Sequence, residues 1–218
     1  MTDDEPPDVA GSDGGSDGTA EPYETVGERA SAAFEVQGSE FIGYVAPVES
    51  EQAADDFLAE IEAEYADATH VVPAYRVRTD EGYLREYSSD DGEPSGSAGK
   101  PALNVLQGQD LENVAVAVVR YYGGTNLGVG GLVSAYGRAT KEAIEAAGVE
   151  ERLPQARFSI TVEYDDSGAV RSVLESADSK FDAAYEERVS FEVTVPVGEA
   201  AGLRDRIRST TSGRAEIE

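Results

Sequence analysis

The stretch from Asp90 to Lys141 constrains the fold of this chain more than any other part of it. Two glycine-rich segments, Gly92–Gly99 and Gly123–Gly131, flank a short helix candidate and an unbroken apolar run, Val114–Val119. Glycine costs backbone entropy, so dense glycine beside regular elements indicates tight turns or the close approach of a ligand. The stretch therefore predicts a buried strand and helices that are connected by closely packed turns.

Charge sets the same stretch apart from the rest of the chain. From Pro94 to Lys141 there are two acids and four bases, whereas the 218 residues together have 44 acids, 17 bases and a net charge of −27. Only three of the bases are lysine. Many carboxylates with little lysine are typical of proteins that work in concentrated salt, where the Debye length is roughly 3 Å at 1 M. We interpret the charge as halophilic adaptation in a prokaryote, because an acidic nucleic-acid mimic would not spare one window.

The composition also excludes several classes of protein. There is no cysteine, which excludes disulfides, thiolate catalysis and cysteine zinc sites. No run approaches the length of a membrane span, and no basic segment followed by an apolar one stands at the N-terminus, so we expect a cytoplasmic protein without membrane contact. The first 27 residues are acidic with scarcely an apolar anchor, and we expect a disordered tail there.

Hydrophobic periodicity divides the remainder into two α+β domains, residues 28–153 and 154–218. In the first, the predicted elements are strands Ala33–Val36 and Phe41–Pro47, a helix from Ser50 to Tyr65, strands His70–Arg78 and Tyr83–Tyr87 around a turn at Asp80–Gly82, a helix Lys100–Gln107, the strand Val114–Val119 and a helix Leu132–Ala147. In the second they are strand Phe158–Tyr164, helix Ser167–Ala177, strands Phe181–Tyr185 and Val189–Val195, helix Glu199–Arg208 and strand Ala215–Ile217. This βαββαβ order is that of ferredoxin-like domains.

The two glycine-rich segments each lead into a predicted helix, and free N–H groups at helix starts attract anions. Arg120 ends the apolar strand and Lys100 begins a helix, so the sequence predicts a phosphate or nucleic-acid site. Its candidate residues are Lys100, Arg120, Gly123, Gly124, Gly128, Gly130, Gly131 and Arg138, beside a surface loop formed by Asp90, Asp91, Gly92, Glu93, Pro94, Ser95 and Gly96. The alternative is that these glycines only permit tight turns between strands and helices.

Evidence for catalysis in the sequence is weak. The Walker A loop, the dinucleotide fingerprint and the nucleophile elbow are all absent. Asp90, Asp91 and Glu93 could hold Mg²⁺ in an enzyme acting on a nucleotide or RNA, with Lys100 and Arg120 on the phosphate, although such a run is more often a solvated turn. His70, the single histidine, lies beside valines, which favours packing over base catalysis. We name no catalytic residue, metal or cofactor, and whether the chain is an enzyme stays open, with the balance against it.

The run DDGEPSGSAGKP…NVAVAVVRYYGGTNLGVGGLVSAYGRA resembles the signature of the IMPACT/YigZ family. The segments Asp67–His70 and Ala74–Arg76 are similar to upstream features of that family, and the resemblance extends over about Arg29–Ala147. It implies an N-terminal α/β sandwich with the fold of domain 2 of a small-subunit ribosomal protein, followed here by the ferredoxin-like domain. The chain departs from the family in Val71 and Val72, where relatives often have polar residues or a second histidine.

The resemblance also implies a function. Eukaryotic relatives regulate translation in a starvation response, and they do so by competing for the activator of a kinase. That interaction depends on an additional eukaryotic domain context. Because this chain has only the shared core, the kinase pathway is not transferred to it. What the resemblance implies here is a non-enzymatic regulator or binding module that contacts RNA, the ribosome or a translation factor through the glycine-rich surface. The oligomeric state stays open, and we expect a monomer.

Overall fold

The computed structural model describes residues 21–79, 83–177 and 179–218, which form two compact units, Pro22–Arg152 and Leu153–Glu218. Both units combine helices with antiparallel sheets, so the prediction of a two-domain α+β protein is confirmed. The predicted turn at Asp80–Gly82 and the first 20 residues of the predicted tail lie outside the described residues.

The first unit is built around a five-stranded antiparallel sheet with the order β2-β3-β6-β4-β5, and a separate pair β1-β7. Its elements are β1 (Tyr23–Val26), β2 (Ala30–Val36), β3 (Ser39–Pro47), α1 (Glu51–Glu64), β4 (His70–Arg78), β5 (Leu84–Ser88), α2 (Gly99–Gly108), β6 (Val114–Tyr121), α3 (Gly128–Ala147) and β7 (Val149–Arg152). The Ser50 side chain accepts a hydrogen bond from the N–H of Ala53 at 3.1 Å and so caps α1, as its position in the sequence indicated.

The central strand β6 is buried on both faces, as its unbroken apolar run predicted. Val116 and Val118 pack in one core cluster with Tyr136 and Ile144 of α3. The alternate residues of β6, Ala115, Ala117 and Val119, pack in another cluster with residues of α1. This alternation places α1 on one face of the sheet and α3 on the other, and it decides which way each later side chain of β6 points.

Two parts of the chain differ from the predictions. The predicted disordered tail extends to Gly27, but Tyr23–Val26 form β1, and Val26 is fully buried. The partner strand is β7, whose Arg152 donates to the carbonyl of Gly27 across 125 residues of sequence, so no local pattern could indicate it. The helix expected from Leu132 begins at Gly128, and three of its first four residues are glycines, which the apolar pattern could not assign to the helix.

The second unit has the strand order β11-β8-β10-β9, with every neighbouring pair antiparallel. Its elements are β8 (Gln155–Val162), α4 (Tyr164–Ser176), β9 (Lys180–Tyr185), β10 (Val189–Pro196), α5 (Val197–Thr210) and β11 (Glu216–Ile217). Alternate residues of β8 and β10, such as Ile160 and Phe191, share one core with Leu174 of α4 and Leu203 of α5. This arrangement confirms the predicted ferredoxin-like domain.

Among the helices of the described residues, none is long and apolar enough to cross a membrane.

Candidate functional site

A buried ion pair joins the two glycine-rich segments of the first unit. Arg120 follows Val118 in the alternation of β6, so its side chain turns into the interior on the α3 face. Its Nη1 donates to Oε1 of Glu93, which is also buried, and the hydroxyl of Tyr136 donates to the same oxygen at 2.8 Å. Burial and the hydrogen bond to Glu93 raise the pKa of Tyr136, so this hydroxyl remains a donor. We call Glu93, Arg120 and Tyr136 the buried triad.

Arg120 has further contacts with Ser39, Phe41 and Tyr122. Its Nη2 lies 3.4 Å from Oγ of Ser39, and its guanidinium carbon lies 5.4 Å from the ring centre of Phe41 and 5.5 Å from that of Tyr122. Only 5% of the residue is exposed. This corrects the expectation that Arg120 contacts a phosphate directly, since an arginine that continues a buried alternation is placed in the core with its own carboxylate.

Asp90 occupies the first of the two predicted anion sites. Its carboxylate accepts hydrogen bonds from the backbone N–H groups of Gly96 at 2.7 Å, Ala98 at 3.0 Å and Gly99 at 2.9 Å. Burial raises the pKa of Asp90, but these three bonds outweigh it and hold that pKa below its usual range. Asp90 thus satisfies the N–H groups of Ala98 and Gly99 at the start of α2, and Lys100 beside them is exposed.

His70 and Asp91 fasten the loop to the start of β4. The Nδ1 of His70 lies 2.5 Å from the carbonyl oxygen of Asp91, and the Asp91 carboxylate accepts the N–H of Val71 at 2.7 Å. The Nε2 of His70 lies 3.9 Å from Oε2 of Glu93. These contacts give His70 a packing and hydrogen-bonding role, in agreement with the interpretation of the sequence.

The carboxylates considered as magnesium ligands are therefore engaged in internal contacts. Asp90 accepts from the backbone of its own loop, Asp91 accepts from β4, and Glu93 pairs with Arg120. In the part of the chain that the structure describes, no group of three or more acidic or histidine side chains is arranged to hold a metal ion.

The glycines of the second segment have two different roles. A Cβ on Gly123 would lie 1.8 Å from the carbonyl oxygen of Gly38, so the tight β2–β3 turn permits no side chain there. The N–H of Gly123 also donates to Oγ of Ser39 at 3.1 Å. In contrast, a Cβ on Gly124, Gly128 or Gly130 would meet no atom within 4 Å. Gly123 is required for packing, whereas those three glycines border open space.

The exposed parts of both segments form a surface that is almost free of charge. We define the motif surface as Pro94–Gly96, Lys100 and Tyr122–Gly130, a set in which Lys100 is the single charged side chain. Tyr122 is 45% exposed and Val129 is 57% exposed. Leu127, the N-cap residue of α3, makes no side-chain hydrogen bond to the first turn of the helix in the described structure. The buried triad brings these pieces together, because it links the loop of Glu93 to β6 and α3.

The structure engages Arg138 elsewhere. Its guanidinium carbon lies 3.9 Å from the ring centre of Phe34, and its Nε donates to Glu142 at 2.7 Å. The two acids of the charge-poor window are paired as well, Glu112 with Arg78 and Asp110 with Arg76.

Sequence reasoning missed Tyr136, Ser39 and Tyr122. Tyr136 lies within the predicted helix Leu132–Ala147, and the available signal was that a buried tyrosine hydroxyl requires a hydrogen-bond partner. Ser39 carries no signal in the sequence, because its partners Arg120 and Gly123 lie more than 80 residues further along the chain.

The structure defines a two-domain α+β protein in which a buried ion pair holds the loop of Glu93 against β6. Comparison with known proteins gives the family. The family profile described as the Impact N-terminal domain matches residues 37–144, and a domain of unknown function, DUF1949, matches residues 160–214. The IMPACT family member YvyE of Bacillus subtilis (strain 168) is 33% identical over 199 residues, which are 90% of each chain.

Two further similarities agree. The IMPACT family member YigZ of Escherichia coli (strain K12) is 31% identical over 184 residues, which are 84% of this chain and 90% of the relative. A solved structure described as the crystal structure of an hypothetical protein superposes with a TM-score of 0.69 at 29% identity, over 90% of this chain and 96% of that one. The chain belongs to the IMPACT family.

Proposed function

We propose that this chain is a non-enzymatic, translation-linked regulator or binding module that contacts RNA, the ribosome or a translation factor through the motif surface. Membership of the IMPACT family supports a translation-related regulatory role. One observation supports the location: Glu93 and Arg120, 27 residues apart in the sequence, join the two glycine-rich segments. The residues of the motif surface include no acid, in a chain with a net charge of −27, although Glu35 and Glu40 line a hollow together with Tyr122.

The chemistry of the motif surface favours short-range contacts. The uncapped N–H groups of α3 and the ammonium group of Lys100 can donate to phosphate or carbonyl oxygens. The exposed ring of Tyr122 offers a face for stacking on a base, which is worth about 1–3 kcal/mol per base in single-stranded nucleic-acid binding. Arg120 contributes indirectly, because it fixes the loop and the helix that present these groups.

We further propose that the protein works in a salt-rich cytoplasm, and the excess of 44 acids over 17 bases supports this. At molar salt the Debye length is about 3 Å, so long-range attraction between a basic patch and RNA is screened. Counterion release also contributes little under those conditions. A nearly neutral surface with hydrogen-bond donors is then a suitable binding surface, and a strongly basic one is not required.

The alternative of a Mg²⁺-dependent enzyme has no specific support in the geometry. It requires carboxylates that are free to hold the ion, and Asp90, Asp91 and Glu93 are engaged by backbone N–H groups and by Arg120. We therefore propose only the binding function.

The test is a pull-down from cell extract in molar KCl with the tagged full chain, followed by identification of the bound RNA and proteins. Val129→Glu places an acid in the middle of the motif surface, and we expect it to lower recovery of translation components by about tenfold, equivalent to 1.4 kcal/mol. Val149→Glu is the matched control, since Val149 is also exposed, at 47%, but lies in β7. Equal recovery with both variants, or no translation component with the wild type, contradicts the proposal.

A further inference from the structure

Strand β2 is the terminal strand of the five-stranded sheet, and β3 is its partner on one side only among the described residues. The geometry of the β2–β3 hairpin decides which backbone N–H and C=O groups of β2 point away from β3. Gln37 and Gly38 have φ values of 50° and 81°, which define a two-residue turn of type I′ between Val36 and Ser39. In such a hairpin the residues that flank the turn form a hydrogen-bonded pair, and the pattern then alternates along the strand. The N–H and C=O groups of Ser31, Ala33 and Glu35 therefore point outward.

This edge lacks the features that usually prevent strand pairing. Exposed edges are commonly blunted by lysine, proline, charge or short length. The edge strand β5 carries Arg85 and Glu86, β9 carries Lys180 and Asp182, and β11 has two residues. In contrast, β2 has seven residues, ASAAFEV, with Glu35 as its one charged residue. Among the edge strands of the four- and five-stranded sheets, β2 is thus the one best suited to pair with another strand.

A like-charge pair on β2 also lacks a counterion. Glu35 lies directly opposite Glu40 of β3, and neither has an ion-pair partner among the described residues. Like charges that face each other across a sheet are destabilising. Arg29, at the other end of β2, lies on the same face of the sheet as Glu35. Its Nη1 donates to Glu60 of α1 at 2.9 Å, and its guanidinium lies over Phe57 of the same helix.

We propose that two copies of this chain pair along β2, antiparallel, in the register that places Ala32 opposite Ala32 of the second copy. In that register Glu35 of each copy lies opposite Arg29 of the other, which supplies the missing counterion. The outward N–H and C=O groups of Ser31 and Ala33 then bond across the two-fold axis. On the opposite face Phe34 lies across from Ala30, so a large side chain meets a small one.

The proposal rests on strand pairing and not on the proposed function, although Ala33 and Glu35 of β2 line a hollow with Tyr122 of the motif surface. It differs from the monomer that the sequence favoured. Hydrophobic periodicity identifies strands but does not show which strand ends a sheet. Because each copy carries a net charge of −27, we expect association to strengthen as salt screens the repulsion between copies.

The experiment is sedimentation equilibrium of the full chain in molar KCl. We expect a mass of twice the 23.0 kDa of the chain at high concentration. Glu35→Arg and Arg29→Glu should each raise the dissociation constant at least tenfold, because each places like charges opposite one another. The double variant with both substitutions should return it to within about threefold of the wild-type value, since the swap restores the pair. Arg85→Glu, a charge reversal on the edge of β5, is the matched control and should leave it unchanged.

A second variant keeps the test independent of charge. Ala33→Pro removes an N–H that points outward, so the sheet within each copy loses no hydrogen bond, and proline is tolerated on edge strands. It should produce a monomer that unfolds at nearly the wild-type temperature. A wild-type monomer at every concentration, an unchanged dissociation constant for Glu35→Arg, or failure of the double variant to restore pairing overturns the proposal.

Discussion

Glu93 and Arg120 form an ion pair in which the two side chains are 4% and 6% exposed. The carboxylate also accepts from Tyr136, so removal of one partner leaves a charge in the interior with fewer polar contacts. Removing one member of a buried pair typically destabilises a protein by about 3–5 kcal/mol, because the other charge stays in the interior without its partner. An exposed pair contributes only about 0–1 kcal/mol. The pair therefore acts mainly by fixing the position of the loop.

We predict that Arg120→Ala and Glu93→Gln each lower the free energy of unfolding by about 3–5 kcal/mol. Urea denaturation in molar KCl measures the change. Arg85→Ala is the control, because Arg85 forms an exposed ion pair with Glu51, and it should cost less than about 1 kcal/mol. If Arg120→Ala unfolds as the wild type does while binding to translation components is lost, Arg120 contacts the partner directly and the structural role assigned to it is wrong.

Asp90→Asn should destabilise the fold by about 1–3 kcal/mol at pH 7, since an amide cannot accept from all three backbone N–H groups. The pKa of Asp90 is lowered in the folded state, so its contribution is complete above the unfolded value of about 3.9 and is lost as pH falls through the lower folded value. The difference in unfolding free energy from the wild type should thus shrink below about pH 4. Asp55→Asn, on the exposed face of α1, is the control. A difference that is constant from pH 7 to pH 3 would contradict the role of Asp90 as a loop cap.

Two glycines of the second segment should respond oppositely to alanine. Gly123→Ala places a Cβ 1.8 Å from a backbone oxygen of Gly38, so we expect a loss of at least 1–3 kcal/mol, the usual cost of overpacking. Gly130→Ala meets no neighbour and lies in the first turn of α3, where alanine should stabilise the helix by about 0.5–1 kcal/mol. Thermal and urea unfolding measure both variants, and equal effects would show that the approach of Gly123 to Gly38 is not tight.

Low salt should destabilise the protein. At 0.01 M salt the Debye length rises to about 30 Å, and repulsion among the excess carboxylates then acts across the whole molecule. We expect the melting temperature to fall by several degrees or more when KCl is lowered from molar concentration, with sucrose at equal osmolality as the control. Equal melting temperatures at the two salt concentrations would rule out the proposed halophilic adaptation.

The sequence predicted the order of helices and strands well where a local pattern was present. The capping residue Ser50, the apolar run of β6 and the helical period of α3 each depend on neighbouring residues, and the structure has all three elements. The strands β1 and β7 were not predicted, because each is short and acidic and gains its stability from the other. Pairing across 125 residues is a tertiary fact that no local window contains.

The sequence predicted a candidate site as a region, and its binding role stays a prediction; the structure shows how the individual residues of that region are placed. Glycine density and the scarcity of acid identified both segments, yet they could not separate Gly123, which must lack a side chain, from Gly130, which borders solvent. Arg120 was expected at a phosphate site because it ends the apolar strand beside the second glycine-rich segment. The alternation of Val116 and Val118 already indicated an inward position, but its counterion, Glu93, could not be found from spacing.

The pairing of β1 with β7 has a consequence for how the first unit forms during synthesis. Val26 is fully buried, but β7, the strand that pairs with β1, ends at Arg152. The β1–β7 pair therefore cannot form until nearly the whole unit has left the ribosome. The hairpin β2–β3, with its two-residue turn, closes a far shorter loop and can form early. We therefore expect protease-sensitive nascent chains until about residue 152 has emerged, with the separate β1–β7 pair formed last, after the five-stranded sheet.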